Sequence, residues 1–227
     1  DLGYGDTSGH VALRSALAAY LGRVRGVVTD VDHLLASSGW TQALDLVARV
    51  LAARGVSAIG MEDPCIPHYR ATVRAAGLEV VALLVDEHGA RLDDLDGVGA
   101  IVLTPAHQYP AGPTLAPERR AAAVAWARET GGLVVEDDYD GELRYDRQPV
   151  GALQALDPEH VVYVGTAAKS LAPGLRLGWM AVPGSLRTDL WELKHLADRH
   201  GSVTDQVALA ELITSGAYDR QLRRARL

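Results

Sequence analysis

The chain of 227 residues is 48% hydrophobic and 22% charged, which suits one large α/β domain, or one domain and a fragment of another, and excludes wholesale disorder. A formal net charge of −7 argues against this piece gripping a nucleic-acid backbone. Its single cysteine, Cys65, excludes an internal disulfide and a multi-cysteine zinc site, and no uncharged apolar run reaches the roughly 20 residues that cross a bilayer, so a reducing, cytoplasmic setting is expected.

In chain order, His10 to Arg25 places apolar residues at helical spacing, and Gly26 ends that helix. Leu34 to Ser38 reads as a short buried segment, with a helix from Gly39 to about Ala53. Apolar runs then alternate with helical patterns. The runs are Val56 to Met61, Val80 to Val85, Ala100 to Thr104, Leu133 to Val135 and Val161 to Gly165; helices are expected at Tyr69 to Ala76 and Pro117 to Thr130. Runs without polar alternation predict strands covered on both faces, and the β-α rhythm predicts a mostly parallel, mixed sheet with helices on both sides. Arg176 to Val182 reads as a further strand stopped by Pro183 and Gly184, with helix from Leu186 onward. The expected organisation is a ligand-binding large domain over 1–183 and a helical continuation over 184–227. The absence of a starting methionine or signal pattern reads as a processed or trimmed piece. The basic tail, Arg220 to Arg226, is expected to be a solvated helix face.

Lysine occurs only as Lys169 and Lys194 among 22 basic residues. Arginine has replaced lysine wherever any cation serves, so each remaining lysine invites a reason; unlike arginine, lysine can lose its proton and act as a nucleophile. Ligands of parallel α/β sheets sit beyond the carboxyl ends of the strands, and four strand ends here are unusual. Ser37-Ser38-Gly39-Trp40-Thr41 opens a helix whose backbone N–H groups can take an anion, though an ordinary N-cap fits too. Glu136-Asp137-Asp138-Tyr139-Asp140 puts four carboxylates in five residues, which calls for a cation or a proton; no paired histidine supports a metal. Gly165 to Ser170 sets Lys169 among small residues, and Arg176 follows as a phosphate clamp. Thr104 to Gly112 is a turn-rich polar loop containing His107 and Gln108. One ligand satisfies the set: a phosphate for Gly39 and Arg176, a ring nitrogen for Asp137 and a carbonyl for Lys169. Pyridoxal 5′-phosphate has all three.

These stretches, with Tyr4 to Gly9, Gln42 to Leu46, Glu62-Asp63-Pro64, Glu136 to Tyr145 and Lys169 to Gly178, resemble in order and spacing the large domain of fold-type I pyridoxal-phosphate transferases of the aminotransferase class I/II group. The His107-Gln108-Tyr109-Pro110 turn and the Glu-Asp-Asp-Tyr-Asp version resemble most the aminotransferase-like domain of MocR-type regulators in the GntR superfamily. The resemblance implies Lys169 as the Schiff-base lysine, Asp137 on the pyridine nitrogen and Tyr139 on the ring oxygen. It implies Gly39, Trp40, Thr41, Thr166 and Arg176 around the phosphate, and His107 or Gln108 near the ring. Tyr4 stands where the family often sends a tyrosine to the partner subunit's phosphate, which implies a homodimer. A small amino compound, or the cofactor itself, is the implied effector, and DNA contact would belong to a domain absent from this chain. A true aminotransferase and a cofactor-free dimerisation module are the alternatives. One departure stands out: after Glu62-Asp63-Pro64 the family usually has glycine and then an aromatic that stacks on the ring, whereas this chain has Cys65 and Ile66. Stacking is therefore weaker, or supplied by another residue. Cys65 reads as a small packing residue, and Lys194, His195 and His200 as surface residues.

Overall fold

The computed structural model describes residues 3–143 and 150–225. Tyr145, the end of the carboxylate-rich stretch, and Arg226 of the basic tail lie outside the described residues.

Helix α1 (Val11–Arg25) precedes strand β1 (Leu34–Ser37) and helix α2 (Trp40–Ala53). Then come β2 (Ala58–Asp63), α3 (Pro67–Ala75), β3 (Glu79–Asp86), β4 (Gly89–Ala90) and β5 (Ala100–Leu103). Next are α4 (Pro117–Thr130), β6 (Leu133–Asp138), β7 (Val161–Thr166) and β8 (Gly178–Ala181), followed by α5 (Gly184–Ala197), α6 (Val203–Thr214) and α7 (Ala217–Ala225). The eight strands form one sheet in the order β1-β8-β7-β6-β5-β2-β3-β4. Strands β3, β2, β5, β6 and β7 are parallel neighbours, while β8 pairs antiparallel with both β7 and β1. The mostly parallel mixed sheet expected from the sequence is thus the one found.

The unbroken apolar runs have a simple cause. Successive strand residues enter opposite cores, so both faces need apolar side chains. Leu35, Val135, Val162, Val164 and Met180 pack beneath α2 and α5. Their neighbours Leu34, Tyr163, Trp179 and Ala181 pack beneath α1, α6 and α7, and Val134 and Val161 beneath α4. Helices beyond Pro183 therefore cover the same sheet: Leu186 and Leu190 of α5 join the core of α2, and Leu209 and Ile213 of α6 join that of α1.

Several element ends differ from the expected ones by one or two residues, β2 running Ala58–Asp63 where Val56 to Met61 was expected, and three differences have a plain physical reason. Strand β6 runs on through Asp138, because Glu136, Asp137 and Asp138 pair in register with Tyr163, Val164 and Gly165 of β7. Strand β8 begins at Gly178, not Arg176, because Arg176 takes a left-handed φ of 48°. The two-residue strand β4 folds back on β3 through a turn too short to register as a pattern. Lys194 is a further correction: it is 1% exposed, its stem buried on α5 and its ammonium donating to Asp198 one turn on, at 2.7 Å. A long apolar stem allows a lysine to be buried while its charge reaches the edge.

Candidate functional site

Strand β2 is followed by β3 on one side, whereas β5, β6 and β7 step away on its other side, so the order of strand addition reverses between the parallel neighbours β2 and β5. Crevices open beyond the strand ends at such a point. A cavity of about 320 Å³ lies there, lined by Glu62 from β2, Thr104 after β5, Asp137 from β6 and Thr166 from β7, with Lys169 and Arg176 from the loop between β7 and β8.

Alternation along β6 sorts its carboxylates. Asp137 is buried, lines the cavity and has no hydrogen-bond partner among the described residues. Its neighbours turn to the other face. Glu136 accepts the backbone N–H groups of Leu153 and Gln154 at 2.8 and 2.9 Å. Asp138 takes a bidentate contact from buried Arg25 at 2.7 and 3.0 Å, and the Tyr163 hydroxyl at 2.7 Å. Burial first, and then the charges of Asp138, Glu62 and Asp140, hold the Asp137 carboxyl well above the usual range. A group in that position favours its neutral form until a cation arrives.

Lys169 is exposed to the cavity and has no hydrogen-bond or ion-pair partner among the described residues, whereas Lys194 is committed to Asp198. Arg176 stands beside the start of α2. A Cβ on Gly39 would meet its guanidinium at 3.6–3.7 Å, and Gly39 holds a φ of 104° that side chains rarely adopt. Trp40 and Thr41, the first two residues of α2, line the cavity with Thr166. The loop therefore brings a guanidinium to a helix N-terminus, an arrangement that suits a phosphate dianion. Trp40 is buried, and its indole N–H lacks a partner among the described residues.

Tyr139 lines the cavity, with its hydroxyl 3.2 Å from His107 Nδ1, which in turn lies 2.7 Å from Asp140 Oδ2. Burial, then Asp140, raises the phenol, so it remains a proton donor. His107 and Gln108 do not themselves line the cavity. His107 stacks on Tyr139 at 6.2 Å on the exposed rim. Gln108 is 1% exposed, and its amide nitrogen is spent on Glu62 and on the carbonyls of Pro64 and Tyr109. Tyr4 lies elsewhere: it is 81% exposed, packs under Arg199 at 4.4 Å and borders a separate surface cleft with Trp191 and His195.

Glu62, Cys65, Ile66 and Tyr69 are among the cavity residues to which the sequence assigns no ligand contact. Buried Glu62 accepts the Thr104 N–H at 3.0 Å and the Thr104 hydroxyl at 2.5 Å, tying the ends of β2 and β5 together. Its carboxyl is raised by burial, against the hydrogen bonds from Thr104 and Gln108. Tyr69 and Ile66 project from the first turn of α3 and its cap. Cys65 is half-buried and accepts from Arg70 Nε at 3.2 Å, so it lines the site in addition to packing. The Glu62-Asp63-Pro64 motif was the one signal that pointed toward them.

The switch-point cavity on a mostly parallel sheet defines a class, and comparison with known proteins names it. The family model of aminotransferase class I and II matches residues 1–225, and the chain belongs to that family. Among curated relatives it is 34% identical to an uncharacterized HTH-type transcriptional regulator, YhdI, of Bacillus subtilis (strain 168), over 98% of this chain and 48% of that protein. It is 33% identical to the HTH-type pyridoxine biosynthesis transcriptional regulator PdxR of Corynebacterium glutamicum (96% and 48%). It is 34% identical to the probable rhizopine catabolism regulatory protein MocR of Rhizobium meliloti (99% and 46%). The chain thus spans about half the length of these relatives. Among solved structures, a Pyrococcus horikoshii kynurenine aminotransferase superposes with a TM-score of 0.89 at 28% identity, covering 99% of this chain and 58% of that one. No helix among the described residues is long and apolar enough to cross a membrane.

The donor set fits the family's cofactor, pyridoxal 5′-phosphate. Among the described residues, a buried carboxylate without a partner suits a protonated ring nitrogen, an unpaired lysine suits an aldehyde, and a guanidinium beside a helix N-terminus suits a phosphate.

Proposed function

We propose that this chain is the pyridoxal-phosphate-binding, effector-sensing part of a MocR-type regulator of the GntR superfamily. The observation that carries the reading is one cavity in which Lys169 and Asp137, both without partners among the described residues, share walls with Arg176. The likeness to three regulators over nearly the whole chain supports regulation over metabolism. Pyridoxal 5′-phosphate supplies, when bound, an aldehyde open to amines and a ring that withdraws electron density.

The residues then have separable tasks. Arg176 and the first N–H groups of α2 bind the phosphate, with Thr166 beside them. Asp137 would face the ring nitrogen and hold a proton there, the paired cation offsetting the burial that otherwise favours its neutral form. Tyr139, kept protonated by burial and Asp140 and oriented by His107, would donate toward the ring oxygen. Lys169 offers its amine as the nucleophile, and an amino compound competing for the same carbon would be the sensed signal. In a homodimer, exposed Tyr4 is free to serve the other subunit's phosphate. DNA contact falls to a domain outside this sequence, in a cytoplasmic protein.

A true aminotransferase is the second reading, favoured by the superposition on the kynurenine enzyme. Titration of the full-length protein with pyridoxal 5′-phosphate, followed by α-amino acid donors, separates the two. The regulator reading expects a visible absorption band that shifts on adding an amino compound, with no accumulation of keto acid. Multiple turnovers would instead establish the enzyme, and no band at any cofactor concentration would defeat both.

A further inference from the structure

Planar ring ligands gain affinity from an aromatic wall, and Ile66 offers no π face where the family resemblance leads one to expect it. The first turn of α3 compensates. Ile66 caps the helix, and the Tyr69 N–H donates to the Ile66 carbonyl at 3.0 Å, so the two residues share one turn. Both line the cavity, together with Val102 and Asp137. The Tyr69 ring is braced: it meets buried Trp40, the first residue of α2, edge to face at 5.7 Å and 65°. Tyr69 and Asp137 line the same cavity, and burial, then the charge of Asp137, pushes the Tyr69 phenol up, so the ring stays neutral. Thr166 and Ala168 line the same cavity and are small enough to leave room for a flat group. Of the other aromatics on the cavity wall, Trp40 braces Tyr69, Tyr139 is held by His107 at 3.2 Å, and Tyr109 is 53% exposed on a loop.

We propose that Tyr69 is the aromatic that packs against the face of the cofactor ring in this chain, having taken over one helical turn later the position that Ile66 leaves aliphatic. The inference deepens the pyridoxal-phosphate reading and rests on it. Pre-bracing by Trp40 matters because a fixed ring loses little rotamer freedom when the ligand arrives.

The test is a double-mutant cycle in the full-length protein, read as the Kd for pyridoxal 5′-phosphate by absorbance and tryptophan fluorescence. Tyr69→Phe should bind within about twofold of the parent and Tyr69→Leu roughly threefold to tenfold more weakly, the range of an aromatic contact. Ile66→Tyr should restore most of that loss in the Tyr69→Leu background and add little to the parent. Ile66→Tyr in the parent removes no aromatic brace and remains informative if Tyr69→Leu folds poorly. A Tyr69→Leu variant that binds like the parent overturns the proposal, as does a larger loss for Tyr109→Leu. Equal gains from Ile66→Tyr in both backgrounds would show that the ring face was open, and would overturn it too. A parent that binds no cofactor refutes the underlying reading, a result distinct from normal binding by every variant.

Discussion

Among single residues, some charges are already spent on partners and others are not. Lys194 is buried on Asp198 and Arg25 on Asp138, while Lys169 and Asp137 face one cavity without partners among the described residues. Replacing the ligand contacts should therefore fail in different ways. Arg176→Ala removes a charge-assisted contact worth roughly 1.5–3 kcal/mol, or about tenfold to a hundredfold in cofactor affinity. Asp137→Ala should leave part of the affinity but abolish ring protonation, visible as a changed absorption spectrum. Equal cofactor affinity for Arg176→Ala and the parent, by titration, would remove the clamp from the account. Lys169 was legible in the sequence because lysine is so scarce there. Glu62 and Tyr69 were not. A buried glutamate joining two strand ends, and a tyrosine one turn beyond a motif, gain their meaning only when β2, β5 and α3 converge.

At the scale of elements, strand β6 does two jobs at once. One face delivers Asp137 to the cavity, and the other carries Glu136 and Asp138 into a buried polar layer that ties β6 to α1. Arg25, the last residue of α1, is 3% exposed; it grips Asp138 and also donates to the Val150 carbonyl at 2.5 Å. Arg25→Ala leaves that carboxylate buried and uncompensated, so it should cost about 3–5 kcal/mol in urea unfolding. A loss below about 1 kcal/mol would mean that solvent or another cation replaces the guanidinium. Sequence periodicity found these elements but misplaced the end of β6. A carboxylate triplet reads as a loop when each member is assumed to be solvated. Pairing with β7 and a separate environment for each acid make it strand instead. The two-faced burial of the sheet, by contrast, was legible from its unbroken apolar runs, because helices cover both sides.

At the scale of the whole molecule, the buried acids set a pH dependence. Burial first, and then Asp138, raise both Glu136 and Glu142 to about 7 from an ordinary 4.5, the hydroxyl of Tyr20 opposing the shift at Glu142. A carboxyl whose folded pKa is raised contributes stability that is complete below its unfolded value and is lost as pH rises through the folded one. The melting temperature of the cofactor-free protein should therefore rise as pH is lowered from about 8 to about 5. Asp30, Asp86 and Asp157, held low mainly by hydrogen bonds from His33, Arg119 and Arg128, work in the opposite sense, but only below the ordinary aspartate value of 3.8. A melting temperature that falls over the upper window would contradict the assignment. Net charge makes a second prediction. At −7, the isolated 227-residue chain should give no sequence-specific gel shift at physiological salt, since phosphate neutralisation dominates DNA affinity; a specific shift would place the DNA contact within this chain. The central claim is that Lys169 is the cofactor's anchor. Borohydride reduction of the protein incubated with pyridoxal 5′-phosphate, followed by peptide mass mapping, tests it most directly. The added mass should fall on the peptide containing Lys169 and not on that containing Lys194; modification of Lys194, or of neither lysine, would rule out Lys169 as the anchor.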